Sequence, residues 1–234
     1  MDVQPRFVRS IFGQLAEHYD TLNRILSFWQ DVSWRQFAVQ KLLMKRGKRF
    51  LDAASGTCEM ALALVKTDPA VRVVAIDFTF SMLTRGRTKI LRASEIGRIH
   101  QALGDGLCLP FPEASFDGAI IAFGIRNMGD HDKALRELAR IVVPGGTLVV
   151  LEFSVPQGLW FQPLYLFYLK RILPRIGGLL SRNRVAYEYL ADSILRFPRP
   201  ESFRKSMESA GFMAVNHWPL TFGVVGVYEG ERMG

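Results

Sequence analysis

Cysteine is scarce in this chain: Cys58 and Cys108 are the only two in 234 residues, and no CxxC pair occurs. That excludes a disulfide framework and a thiolate zinc cluster, and it makes a reducing, cytoplasmic setting the expectation. Histidine is nearly as thin. His18, His100, His131 and His217 stand apart without ligand spacing, so no metal site is expected. Long apolar runs are missing as well. The opening MDVQPRFVRSIFG lacks the apolar core of a signal peptide, and the longest uncharged stretch, Phe153 to Leu169, is interrupted by Pro156, Gly158 and Pro163. A protein that is not integral to a membrane is the expectation. Repeats and low-complexity tracts are absent, and the dinucleotide fingerprint GxGxxG appears nowhere.

What is present suits one globular domain with an insertion: 49% of residues are hydrophobic and 22% charged. The net charge of +8 is compatible with nucleic acid, an anionic membrane surface or plain solubility, and the basic residues form no dense run that would choose among them.

Up to about Lys45 the apolar residues recur at helical spacing: Phe12, Leu15, Tyr19, Leu22, Ile25 and Leu26, then Trp34, Phe37, Ala38 and Leu42. The period then changes. Strands are expected at Arg49–Ser55, Val71–Asp77, RIHQALGD, Ser115–Gly124 and TLVVLEFS. Helices are expected at CEMALALVK, with its start at Thr57, at Ser81–Ala93 and at HDKALRELARIV, the last closed by Pro144-Gly145-Gly146. Such alternation implies a parallel sheet with right-handed crossovers. After Ser154 it breaks for some 45 aromatic, apolar and basic residues. A helix at Glu201–Ala210 and two strands, around FMAVNHW and FGVVGVYEG, complete the pattern. The expected organisation is an N-terminal helical cap (1–45), a doubly wound α/β core (46–154), a helical lid inserted between the fifth and sixth strands (155–200), and a return to the core (201–234).

In open parallel sheets ligands bind beyond the carboxyl ends of the strands, at the switch point of strand order. The first strand runs out into DAASGT, where Asp52, Ser55, Gly56 and Thr57 leave room for a ligand against the backbone. The second ends in Asp77, a carboxylate suited to the two hydroxyls of a ribose, with Phe78 and Met82 following. The third ends in Asp105 and Gly106, suited to an exocyclic amine such as that of adenine. The fourth ends in Ala122, as a floor. Taken singly, an acid at a strand end is more often a helix cap or loop residue. Four strand ends in this order, without a pyrophosphate loop, fit a ligand with ribose and adenine but no pyrophosphate, such as S-adenosylmethionine.

Longer segments carry a more specific resemblance. YDTLNRILSFWQDVSWR (Tyr19 to Arg35), LDAASGTCE, LPFPEASFDGAIIAFGIRNMGD (Leu109 to Asp130), VVPGGTLVVLEFSVP (Val142 to Pro156) and AYEYLADSILRFP (Ala186 to Pro198) resemble the ubiquinone/menaquinone C-methyltransferase family within the class I methyltransferases. Cys58 stands where that family usually has glycine, Ala122 where a hydroxyl residue is common, and TFSM at Thr79–Met82 where SEGM is usual.

The resemblance implies a Rossmann-like, mostly parallel seven-stranded sheet and S-adenosylmethionine as cofactor. It also implies methylation of a ring carbon on a polyprenylated hydroquinone, with demethylmenaquinol to menaquinol the leading reaction; ubiquinone and menaquinone precursors are not separated by this chain. Arg126 would stabilise phenolate charge, Asn127 would orient a hydroxyl or water, and Tyr19, with Asn23, would close the pocket. The competing role for Arg126 is an ion pair with a loop acid such as Asp130, and for His131 a first-turn helix position. Trp160, Phe161, Leu164, Tyr165, Phe167, Tyr168 and Ile172 would form an apolar lid. Lys170, Arg171 and Arg175 would meet lipid headgroups at the inner membrane face. Core packing is the plain alternative for the apolar set. Homo-oligomerisation is left open. Another lipid or a small phenol is the alternative acceptor. RNA is disfavoured because no recognition module is present, and a silent cofactor sensor is suggested only by Cys58.

Overall fold

The computed structural model describes residues 5–15, 19–44, 47–158, 160–181 and 183–234. A seven-stranded sheet of order β3-β2-β1-β4-β5-β7-β6 organises them. Strands β1 (Arg49–Ala53), β2 (Arg72–Asp77), β3 (Ile99–Leu103), β4 (Phe116–Ala122) and β5 (Val142–Phe153) pair in parallel. The last strand, β7 (Val225–Arg232), is antiparallel to both its neighbours, β5 and β6 (Phe212–Leu220). The order reverses between β1 and β4. Register brings their ends level there: Ala53 aligns with Ile76 on one side and Ile121 on the other.

Period-two alternation divides the core. Phe50, Val73, Ala75, Ile120 and Val149 face one side, where they meet Trp34, Ala38, Val39 and Leu42 of α3 (Gln30–Leu43), Leu64 of α4 (Glu59–Thr67) and Ile90 of α5 (Phe80–Arg92). Leu51, Ala53, Ile121 and Val150 face the other, against Leu135 and Leu138 of α6 (His131–Ile141) and Phe203 and Met207 of α10 (Pro200–Ser209). A third cluster lies beyond the carboxyl edge. There Ile11 of α1 (Pro5–Leu15) and Leu22 of α2 (Tyr19–Leu26) pack with Tyr165 of α7 (Phe161–Phe167), Leu173 of α8 (Leu173–Ser181) and Ala186, Ala191 and Ile194 of α9 (Arg184–Arg196). Cap and lid thus share one small core. A π-turn, Tyr168–Ile172, joins α7 to α8, an irregularity that recurs at functional sites.

Two local expectations are corrected. Helix α4 begins at Glu59 rather than Thr57, because Cys58 takes a left-handed conformation (φ 63°) and its amide closes a tight turn onto the Ser55 carbonyl at 2.8 Å. Pro144-Gly145-Gly146 does not form a loop after α6. It lies within β5, and the β4–β5 register shifts between Phe116 and Gly118. A side chain at Gly146 would lie 2.6 Å from the Asp117 carbonyl, so the strand bulges here only because Gly146 is bare.

Candidate active site

The turn after β1 is built for close approach. Ala54, Gly56 and Cys58 all have positive φ, which exposes the backbone of Ser55 and Gly56 to the space above. Asp52 lies beneath this turn and does not line the cavity above it. One of its oxygens accepts from the Ala61 amide (3.0 Å) and the other is buried without a partner. Burial pushes its carboxyl up to about 7, opposed by the Ala61 hydrogen bond and the Arg35 charge. Its place is that of a brace between β1 and α4. Cys58 fills the space beneath the turn. Its thiol is pushed up to about 12, first by burial and then by the Asp52 charge, so it is inert as a nucleophile.

At the end of β2, Asp77 accepts from the Gly56 amide (2.8 Å) and the Thr79 amide (2.7 Å). Burial raises its pKa and the two amides pull it back. Asp77 lines the cavity, where a carboxylate can accept from the hydroxyls of a diol. Asp105 accepts from the Leu107 amide at 2.9 Å, which fixes the β3 loop. Phe78 is clasped through its carbonyl by Arg9 Nη2 of α1 (2.9 Å). These groups bound a cavity of about 500 Å³, lined among others by Ser55, Gly56, Thr57, Asp77, Phe78, Met82, Asp105, Gly106, Ala122 and Asn127. Its size is that of a small-molecule site. Two carboxylate acceptors, a thioether and a bare backbone turn fit a nucleoside with a short charged chain, as S-adenosylmethionine is.

Thr57 lines this cavity but its hydroxyl is already engaged. It donates to Asp20 of α2 (2.6 Å) and accepts from Lys89 of α5 (2.9 Å). Lys89 also pairs with Glu59 at 2.5 Å, and Arg24 reaches the other Glu59 oxygen at 3.3 Å. Burial favours the neutral form of Glu59, but the Lys89 charge and hydrogen bond outweigh it and hold the pKa below the usual carboxylate range. This network latches the cap onto the cofactor turn.

A second cavity, about 100 Å³, lies under cap and lid. Its walls are mainly apolar: Ile11, Leu22, Leu26, Trp34, Phe153, Tyr165, Leu169 and Leu173, with Asn23 among the few polar groups. It shares Phe12, Arg35 and Phe123 with the first cavity, so the two adjoin. Arg126, held just after β4, lines it. Its Nη1 donates to the Phe123 carbonyl (2.5 Å) and to Glu152 Oε1 (2.7 Å), while its buried Nε has no partner. Glu152, at the end of β5, is fully buried and also accepts from the Arg126 and Phe153 amides. Asn127 spans the two cavities: it lines the first, and its oxygen accepts from the Tyr189 hydroxyl, which lines the second, at 3.0 Å.

Asn127 thus lines the first cavity and Arg126 only the second, and the side chain of Tyr19 lies outside the described residues. Arg126 has an acid partner, but not Asp130, which instead caps α6 by accepting from the Lys133 amide (2.8 Å). His131 opens α6 and packs against Phe197, away from both cavities. Arg35, Glu152 and Tyr189 escaped the reading of the residues as site groups. Each stands inside a quoted motif (SWR, LEFS, AYEYL), which was the available signal. Among the described residues no group of three metal-ligating side chains occurs.

Comparison with known proteins agrees with this geometry. The model of the ubiE/COQ5 methyltransferase family matches residues 1–232. The chain is 43% identical over 226 residues to a ubiquinone/menaquinone biosynthesis C-methyltransferase UbiE of Geobacter sulfurreducens, covering 96% of this chain and 88% of that one. It is 46% identical over 223 residues to a demethylmenaquinone methyltransferase of Thermus thermophilus, covering 95% and 100%. Among solved structures, the [4+2]-cyclase SpnF superposes with a TM-score of 0.68 at 15% identity, over 94% of this chain and 95% of that one. That likeness concerns the fold alone.

Proposed function

Because the chain belongs to the ubiE/COQ5 methyltransferase family, we propose that this S-adenosylmethionine-dependent methyltransferase methylates a ring carbon of a prenylated hydroquinone, with demethylmenaquinol as the acceptor. The observation that carries the reading is the adjoining of two unlike cavities, one nucleoside-sized with Asp77, Asp105 and a bare backbone turn in its walls, the other more apolar and headed by a buried arginine with a spare donor. An aromatic carbon becomes nucleophilic as its neighbouring hydroxyl loses a proton. The Arg126 guanidinium favours that charge in surroundings where little water competes. Asn127, steadied by Tyr189, orients the hydroxyl, and the shared walls Phe12 and Phe123 hold the ring against the cofactor cavity. The cofactor, when bound by Asp77, Asp105 and the Ser55–Gly56 turn, supplies an electrophilic methyl group on a sulfonium.

A cavity of about 100 Å³ is smaller than such an acceptor requires, so its walls must open for the acceptor to enter. The tail would leave through the lid, whose surface carries Trp160, Leu164, Phe167, Ile176 and Leu179 exposed beside exposed Lys170, Arg171 and Arg175. Among the described residues no helix is long and apolar enough to cross a membrane. Peripheral contact of the lid with an anionic bilayer is the corresponding proposal.

The test is incubation of the purified protein with deuteromethyl-labelled S-adenosylmethionine and, in separate reactions, reduced demethylmenaquinol, a phosphatidylethanolamine and RNA. Labelled methyl on the quinol ring by mass spectrometry is the expected product. Label on another acceptor and none on the quinol overturns the proposal.

A further inference from the structure

Arg35 is the one cation that lines both cavities, among the described residues, apart from any role already given to Arg126. Its side chain is 12% exposed, and its Nε is buried without a hydrogen-bond partner. What fixes it is weak and directional: a 3.9 Å approach to Asp31 Oδ2 and the face of the Phe123 ring 5.2 Å away. Asp31 is itself held by the Ser27 hydroxyl at 3.1 Å. A guanidinium so placed has a buried Nε–H that no protein group meets, and leaving it unmet at this depth is costly.

Position says what that something is. Along the first cavity Asp105 stands beyond β3, Asp77 beyond β2 and the Ser55–Gly56 turn beyond β1. A nucleoside that enters with its base at β3 and its ribose at β2 lays its amino-acid chain over β1, toward β4. Arg35 stands there, against Phe123 at the end of β4 and close enough to Asp52 and Glu59 for its charge to be felt by both. An α-amino acid is a zwitterion, and its carboxylate calls for a cation, which Arg35 supplies in the wall of this cavity.

We infer that Arg35 anchors the carboxylate of the amino-acid portion of the cofactor, and so fixes where the methyl-bearing sulfur points relative to the acceptor cavity. Fork-like pairing of a guanidinium with a carboxylate constrains direction as well as distance, which a lysine does less well.

Calorimetry with three ligands reads this directly: S-adenosylhomocysteine, its carboxamide, and methylthioadenosine, which lacks the amino-acid group. Arg35→Gln is expected to weaken S-adenosylhomocysteine by about tenfold or more, the range of a lost charge-assisted pair, while methylthioadenosine binds as before. In the unaltered protein the carboxamide should be weaker by a similar factor, and in Arg35→Gln it should lose nothing further. Arg35→Lys should recover part of the affinity. The inference is overturned if the unaltered protein binds carboxamide and carboxylate equally, or if Arg35→Gln weakens methylthioadenosine as much as S-adenosylhomocysteine. It also falls if the variant binds all three normally but loses turnover, because the guanidinium then serves the acceptor. The carboxamide comparison needs no variant, so it stands even where Arg35→Gln fails to fold.

Discussion

Two buried charges at the ends of adjacent strands behave differently under substitution. Arg126 both lines the second cavity and neutralises Glu152. Arg126→Ala is therefore expected to cost stability, about 3–5 kcal/mol for a broken buried pair, as well as rate. Loss of stability alone does not separate the two roles. Single-turnover methyl transfer by the folded fraction does, and there a fall of about a hundredfold is expected, partly restored at higher pH where more acceptor is ionised. Wild-type turnover by that fraction would leave Arg126 only a structural role. Asp52 gives a pH signature instead. Its folded carboxyl sits at about 7 because of burial, far above the ordinary value of ~3.9. The native state thus holds the proton more tightly, and the contribution present below about pH 4 is lost as pH rises through 7. Asp52→Asn keeps an oxygen for the Ala61 amide and removes that dependence. Denaturation at pH 5 and pH 8 should show a smaller loss in the variant than in the wild type, and equal losses would contradict the assignment.

Elements place these residues, and they also explain what could be read in advance. The change of hydrophobic period at Arg49 and the acids at successive strand ends were legible, because buried parallel strands and their exits have few chemical solutions. Pairings across strands were not. Glu152 meets Arg126 only because β5 runs beside β4 in the register held from Gly118 to Ala122, and Thr57 lost its expected freedom to Asp20 and Lys89, residues of two other helices. Packing of α5 on the turn is similarly hidden. A Cβ at Gly86 would lie 2.5 Å from the Cys58 sulfur, 2.9 Å from Gln101 Nε2 and 3.2 Å from the Thr57 carbonyl carbon. The gain in helix propensity from Gly86→Ala is about 1 kcal/mol, whereas overpacking costs about 1–3 kcal/mol. Because backbone cannot yield as a side chain does, net destabilisation is expected, with weaker S-adenosylhomocysteine binding as the turn shifts. A melt and a titration that both match wild type would refute this.

Over the whole molecule, the carboxyl ends of the strands line the first cavity, and the joined cap and lid line the second, which is proposed for the acceptor. Trp160 and Leu179, 95% and 85% exposed, belong to the lid surface for which the membrane contact is proposed. Replacing both by glutamate is expected to reduce co-sedimentation with phosphatidylglycerol vesicles while sparing transfer to a soluble, tail-less acceptor; wild-type protein that ignores such vesicles at low salt would remove the membrane contact. The central claim is that cofactor and acceptor occupy two adjoining cavities at once. It is tested most directly by titrating a short-tailed menaquinol analogue into protein with and without saturating S-adenosylhomocysteine. A ternary complex, with analogue affinity unchanged or raised by the nucleoside, is the expected result. An apparent Kd for the analogue that climbs in proportion to S-adenosylhomocysteine would mean one shared site, and would contradict it.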